Sequence, residues 1–203
     1  MNLLRRTTLV LLATVASIGL VSGCSDSNTG RPTPETGGQS GSSGTATSPS
    51  SSFEGVELDT SKFSGKPCEA LTSAQLSTLG TFKTPEPGKS ALGPSCDFRA
   101  QKVIEGVTYE VVIASSGNTL ESIIEGLRSS KTPVVEETKV AGYAAVNSDQ
   151  TNAKGACATA VGTSSKDAIS VQLITENKAL PEYNDPCGQT EKVAALVIQN
   201  LKG

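Results

Sequence analysis

Between Ser25 and Ser52 the chain carries no large apolar side chain; of these 28 residues Ser supplies nine, Thr five, Gly five and Pro three. Such a stretch cannot bury enough surface to offset the entropy of ordering it. It reads as a flexible linker with a reach of roughly 30 Å, which with Cys24 makes up residues 24–52. Any packed core must therefore come from residues 53–203. All seven aromatic residues lie there: Phe53, Phe63, Phe82, Phe98, Tyr109, Tyr143 and Tyr183. A segment of that length can enclose a single core. The Ser/Thr/Pro content of the linker would also suit O-linked sugars, and the chain has no Asn-x-Ser/Thr sequon.

Residues 1–23 read as an address. Arg5 and Arg6 precede an apolar run from Leu9 to Val21, and the run ends in Val21-Ser22-Gly23-Cys24. Charge, apolar run and small residues in that order mark an export signal, and the run is short for a spanning helix. Val-Ser-Gly-Cys resembles the lipobox of bacterial lipoproteins, which implies cleavage before Cys24 and a diacylglycerol on its thiol. Two or more acyl chains hold a protein on a membrane, whereas one holds it only marginally. The expected location is the extracytoplasmic face of the cell membrane. The alternative is a secreted protein with an unrelated cysteine near the cut.

The pattern within 53–203 predicts an α+β domain. Thr72 with Gln75 three residues on forms a capping box for a short helix stopped by Gly80. Cys96–Ala100 alternates as a strand, and Val107, Tyr109, Val111 and Ile113 line one face of the next. Residues 119–129 place Leu120, Ile123, Ile124 and Leu127 on one helical stripe. Val134–Val140, Gly142–Val146, Gly155–Gly162 and Ala168–Thr175 read as four more strands, the last two joined through Ser164–Asp167. Asp185 is an N-cap with Pro186 at the first helical position; Val193, Leu196, Val197, Asn200 and Leu201 then recur at helical spacing. Strands in a run with helices around them imply an antiparallel sheet backed by helices.

With Cys24 assigned to lipid, Cys68, Cys96, Cys157 and Cys187 remain, an even number in an exported domain. Four cysteines allow three pairings. Cys68–Cys96 and Cys157–Cys187 are favoured, since each joins a helix start to a nearby strand and closes a loop of about 30 residues, worth about 3.5 kcal/mol on the chain-entropy model. A thiol redox site would ask for Cys-x-x-Cys, and a zinc site for close ligand spacing; neither is present.

Several segments carry a family likeness. They are Lys66-Pro67-Cys68-Glu69-Ala70-Leu71-Thr72, Ser95-Cys96-Asp97-Phe98, Val140-Ala141-Gly142-Tyr143-Ala144-Ala145, Gly155-Ala156-Cys157-Ala158-Thr159-Ala160-Val161 and Asp185-Pro186-Cys187. Together they resemble the actinobacterial lipoproteins that carry domain of unknown function 3558. Members often have Trp where this chain has Phe98, and Asp where it has Lys66. The resemblance implies an envelope lipoprotein with paired disulfides and implies no activity. More weakly, the layout is similar to PsbP-like and sensor-type extracytoplasmic domains, an analogy of fold alone.

Candidate chemistry is sparse. The chain has no histidine, which removes the Ser-His-Asp triad, the Cys-His pair and His-ligated zinc. Its net charge of −3 argues against a nucleic-acid partner. Gly88-Lys89-Ser90 lacks the first glycine of a phosphate loop, because Lys83 stands there, and reads as loop. Thr163-Ser164-Ser165-Lys166 places a hydroxyl three before a lysine but reads as a hairpin turn. Glu136 and Glu137 point to opposite faces of a strand, and Glu121, Glu125 and Arg128 read as a solvated helix face. Asp149, Glu176, Glu182 and Asp185 fall in loops without a calcium-loop pattern. The expectation is a non-enzymatic chain without cofactor or metal. It would be a binding or protein-interaction module of the envelope, with a carrier or sensor of a small apolar or lipid ligand, held between sheet and helices, as the alternative.

Overall fold

The computed structural model describes residue 53 and residues 55–114 and 117–203. The leader 1–23, the lipidation position Cys24 and the linker to residue 52 lie outside the described residues.

Seven strands form one antiparallel sheet: β1 Glu86–Lys89, β2 Pro94–Phe98, β3 Thr108–Ala114, β4 Val134–Val140, β5 Tyr143–Asp149, β6 Ala156–Gly162 and β7 Ala168–Ile174. Their order across the sheet is β1-β2-β3-β7-β6-β5-β4. The helices are α1 Ser61–Ser64, α2 Ser73–Leu79, α3 Leu120–Ser129, α4 Pro181–Asn184 and α5 Pro186–Lys202, with a 3-10 turn over Pro67–Ala70. This is the expected α+β architecture with both expected disulfides. Cys68–Cys96 ties the 3-10 turn to β2, and Cys157–Cys187 ties β6 to the first turn of α5.

Alternation decides which face is the core. Tyr109, Val111 and Ile113 on β3 sit beside Leu173, Val171 and Ile169 on β7, and all six are buried. Val193, Ala194, Val197 and Ile198 of α5 close over them, each fully buried. α1 and the 3-10 turn extend this cover through Phe63, Ala70 and the following Leu71, and α2 packs the partly buried Leu76 and Leu79 against it. β6 turns small residues, Ala158, Ala160 and Gly162, to the opposite face, and α3 lies over part of it. A Cβ on Gly162 would come within 3.3 Å of the Leu120 Cβ, so a small residue lets the helix lie close. No side chain of α3 is fully buried.

The capping box at Thr72–Gln75 forms in both directions, and the Asp185 side chain accepts from Gly188 N as the cap of α5. β1 differs from the expected loop at Gly88-Lys89-Ser90. It is wholly exposed and contains Pro87 and Gly88, so it carries no alternation to read, and a sheet edge is where proline is tolerated. α1, the 3-10 turn and α4 each have only four residues, too few for helical periodicity.

Candidate functional site

The strand register gives the domain two distinct ends. Ala114 pairs with Ala168 and Ala168 with Gly162, while at the other end Thr108 pairs with Ile174 and Ile174 with Ala156. Seven residues of strand separate these ends by roughly 20 Å. The chain enters at the first end. Phe53 lies 6.2 Å from the Tyr143 ring, Leu58 N donates to Thr163 O at 2.8 Å, and Ser165 Oγ donates to Glu57 at 3.0 Å.

Of the exposed large apolar side chains, Val56 lies at the first end, where Tyr143 Oη donates to its carbonyl; Val103, Ile104 and Ile174 lie at the second. The connection from β2 to β3 projects Val103 and Ile104 into solvent, 55% and 76% exposed. Its base is fixed. Gly106 N donates to Lys102 O at 2.9 Å, and Lys102 pairs with Glu105 at 2.9 Å. Thr175 Oγ1 donates to Gly106 O at 3.0 Å and Asn177 Nδ2 to Glu105 O at 2.9 Å. A Cβ on Gly106 would meet the Ala100 Cβ at 2.7 Å, so this close crossing needs glycine. The tip is thus an apolar pair on a braced support.

Beside the tip, Thr81, Ala100, Gln101 and Lys102 line a cleft of about 410 Å³. It adjoins a smaller hollow of about 140 Å³ walled by Leu79, Phe82, Val107, Leu180 and Glu182. Below it the Phe82 ring packs 6.0 Å from that of Tyr109. Tyr109 is sealed, and its hydroxyl accepts from Gln189 Nε2 at 3.0 Å. Burial first, with the nearby charge of Glu182 adding to it and the Gln189 hydrogen bond opposing, pushes this phenol up to about 12. Across the sheet, Leu127, Ala158, Gln172 and Ile174 border a third cleft of about 220 Å³ at the same end.

Beneath α5 a polar chain is built into the core. Thr159 Oγ1 donates to Asn147 Oδ1 at 2.7 Å and lies 2.6 Å from Thr190 Oγ1. Asn147 Nδ2 donates to Glu191 at 2.6 Å, and Thr190 Oγ1 to Cys187 O at 2.9 Å. Buried hydroxyls and amides need such partners, and here they fasten β5 and β6 to α5 beside Cys157–Cys187. Buried side chains of β3, β6, β7 and α5 occupy the layer between sheet and helix, where a carrier would need space.

Among the described residues, the acidic residues singled out in the sequence form no group of three that could hold a metal ion. Asp149 ends β5 buried, and its carboxylate accepts from Thr151 N at 2.6 Å, from Thr151 Oγ1 at 2.5 Å and from Ala153 N. Burial acts to raise its pKa, but these bonds together hold it below the ordinary carboxylate value. They clamp the turn in which Asn152 and Ala153 adopt positive φ. Asp185 caps α5 and Glu182 lies in α4. Arg128 reaches across to Glu137 at 2.5 Å, so the charge pair joins α3 to β4 and is not confined to the helix. Ser164 Oγ accepts from Lys166 N and Asp167 N, which makes Thr163–Lys166 a turn. The apolar tip escaped the sequence reading because Val103 and Ile104 are only two residues in a polar loop; their signal is a pair of β-branched side chains where a turn needs none.

Among the described residues no helix is long and apolar enough to cross a membrane. Comparison with curated proteins and with solved structures yields no match. A family model described as "Protein of unknown function (DUF3558)" matches residues 19–200, nearly the whole chain. The chain belongs to the DUF3558 family.

Proposed function

We propose that this chain is a lipoprotein of an actinobacterial cell envelope, held on the extracytoplasmic face of the membrane by acyl chains on Cys24. In this reading the domain 53–203 is a non-catalytic module that binds an envelope protein through the end bearing Val103 and Ile104. The observation that carries the binding reading is the polarity of the domain. The chain enters beside Tyr143 and Thr163, and the exposed Val103, Ile104 and Ile174 gather at the other end of the strands. The tip is thus remote from the point where the chain enters the domain. An exposed apolar pair on a braced loop offers a partner a fixed apolar contact. The anchor is supported by Arg5-Arg6, the apolar run and Val21-Ser22-Gly23-Cys24. The buried side chains that occupy the layer beneath α5 give the carrier reading less support.

Two measurements test it. Cys24→Ala is expected to move the chain from the membrane fraction to the soluble fraction; retention in the membrane defeats the anchor. A photo-crosslinker placed at Ile104 in intact cells is expected to trap a discrete protein that the same probe at the exposed Val56 does not. Equal trapping from both positions, or none from Ile104, defeats the binding surface.

A further inference from the structure

The two edges of the sheet are built differently. β1 is four residues long and includes Pro87 and Gly88, both of which discourage strand pairing. β4 has seven residues, Val-Val-Glu-Glu-Thr-Lys-Val, with neither Pro nor Gly. Among the described residues no strand lies on its outer side. A long edge of this kind is a template for another strand.

The turn after β4 tells which groups the edge presents. Ala141 and Gly142 have φ of 51° and 91° and link Val140 to its partner Tyr143. Positive φ at both positions of a two-residue hairpin is the type I′ turn, whose closing hydrogen bond joins the flanking residues. Val140 and Tyr143 are therefore a hydrogen-bonded pair, and the alternation of an antiparallel ladder turns Val134, Glu136 and Thr138 inward to β5 as well. The N–H and C=O groups of Val135, Glu137 and Lys139 face outward.

Charge then selects an occupant. If a second β4 lies antiparallel about a two-fold axis at Glu137, that carboxylate faces its own copy. With the axis at Glu136, Glu136 faces itself. With the axis at Thr138, five residues pair over Glu136–Val140, and Glu137 faces Lys139 of the other copy twice over. Among the two-fold registers that pair five or more residues of β4, this one alone avoids like charges opposite one another, which destabilise a ladder. We propose that β4 is a self-association edge. Two copies of this chain join antiparallel about Thr138 into one continuous sheet, with reciprocal Glu137–Lys139 pairs on the face that carries α3. The existing Arg128–Glu137 pair lies on that same face and adds positive charge beside the seam. Pairing at β4 depends neither on the lipid anchor nor on the apolar tip.

The full chain, purified in mild detergent, is expected to sediment as a concentration-dependent dimer. Lys139→Glu is expected to weaken the dimer about tenfold, by setting like charges opposite each other at two places. Glu137→Lys should do the same, and the double exchange E137K/K139E should restore the dimer. That rescue separates pairing from any loss of the Arg128 contact. Thr138 faces itself across the axis at a Cα separation of about 4.5 Å, within reach of a disulfide. Mild oxidation of Thr138→Cys should therefore yield a covalent dimer, and Ala144→Cys, on the exposed surface of β5, should not. A chain that stays monomeric, a K139E dimer as tight as the parent, or T138C cross-linking no better than A144C overturns the proposal.

Discussion

Gln75 and Asn200 exchange two hydrogen bonds across 125 residues of sequence: Gln75 Nε2 donates to Asn200 Oδ1 at 3.1 Å, and Asn200 Nδ2 donates to Gln75 Oε1 at 2.8 Å. The same Gln75 oxygen accepts from Thr72 N at 2.8 Å, and Asn200 Nδ2 also reaches Ala70 O at 2.9 Å. The capping box of α2 is thereby locked to the last turn of α5. Asn200→Ala is expected to cost about 1–3 kcal/mol, because it strips partners from a half-buried amide and a backbone carbonyl. Gln75→Ala should cost a similar amount, including the cap. Since both changes break the same pair, the double variant should cost less than the two single costs combined. Urea denaturation of the four proteins measures the difference, and strict additivity would show that the two amides act independently.

The disulfides divide their work. Cys68–Cys96 fastens the 3-10 turn to β2 at a sequence separation of 28, and Cys157–Cys187 fastens α5 to β6 at a separation of 30. Loops of similar length predict similar stabilisation, about 3.5 kcal/mol each on the chain-entropy model. Replacing each pair by Ser should lower the denaturation midpoint by comparable amounts. The loss of Cys157–Cys187 should in addition expose the amides of the first turns of α5 to hydrogen exchange, while those near Gln75 stay protected. A variant lacking Cys157–Cys187 whose α5 amides remain as protected as before would show that the Thr159–Thr190 chain holds the helix alone.

Strands β2–β7, α3, α5 and both disulfide pairings are legible in the sequence, because each leaves a pattern that local chemistry must obey. The stripe of α5 shows why such reading stops short of contacts. Asn200 falls on that stripe at the spacing of its apolar neighbours, and spacing alone cannot say that it meets Ala70 and Gln75. Arg128 likewise sits one turn from Glu125, yet it bonds Glu137, since strand β4 passes beneath α3. β1 and the short helices were not legible, as four-residue elements have no period. The apolar tip at Val103 and Ile104 was not legible either. Its meaning lies in the braced loop beneath it and in its distance from the chain's point of entry, both of which are tertiary.

Tyr109 gives the domain an alkaline limit. Its phenol is fully buried and its pKa is raised to about 12, first by burial and then by the charge of Glu182, against about 10 in an unfolded chain. The folded state thus holds this proton more tightly. The stabilisation is complete below about pH 10 and is lost as pH rises toward the folded value. The urea midpoint of the parent should fall across that window, and that of Tyr109→Phe should fall less steeply. The tyrosinate absorbance missing from Tyr109→Phe should appear in the parent only together with unfolding. Ionisation of Tyr109 at its ordinary value in the folded protein would mean that the phenol is open to water.

Two glycines with positive φ separate backbone strain from steric exclusion. Gly142, at φ +91, forms the open turn after β4, with nothing within 4 Å of where a Cβ would stand. Gly155, at φ +72, is enclosed: a Cβ there would stand 2.5 Å from Thr175 O and 2.9 Å from the Tyr183 ring. Gly155 also joins the two segments it would clash with, its N donating to Tyr183 O at 2.8 Å and its O accepting from Thr175 N at 2.7 Å. Alanine at position 142 meets only the left-handed backbone penalty, about 1 kcal/mol. At position 155 the same penalty is joined by overpacking against a backbone carbonyl that cannot swing aside, a further 1–3 kcal/mol or so. Gly155→Ala is therefore expected to destabilise the domain by at least about 1 kcal/mol more than Gly142→Ala, and to disturb the loop between β7 and α4 that braces the apolar tip. Equal denaturation midpoints for the two variants would show that the β5–β6 turn yields easily and that the tip is less firmly held than its hydrogen bonds imply.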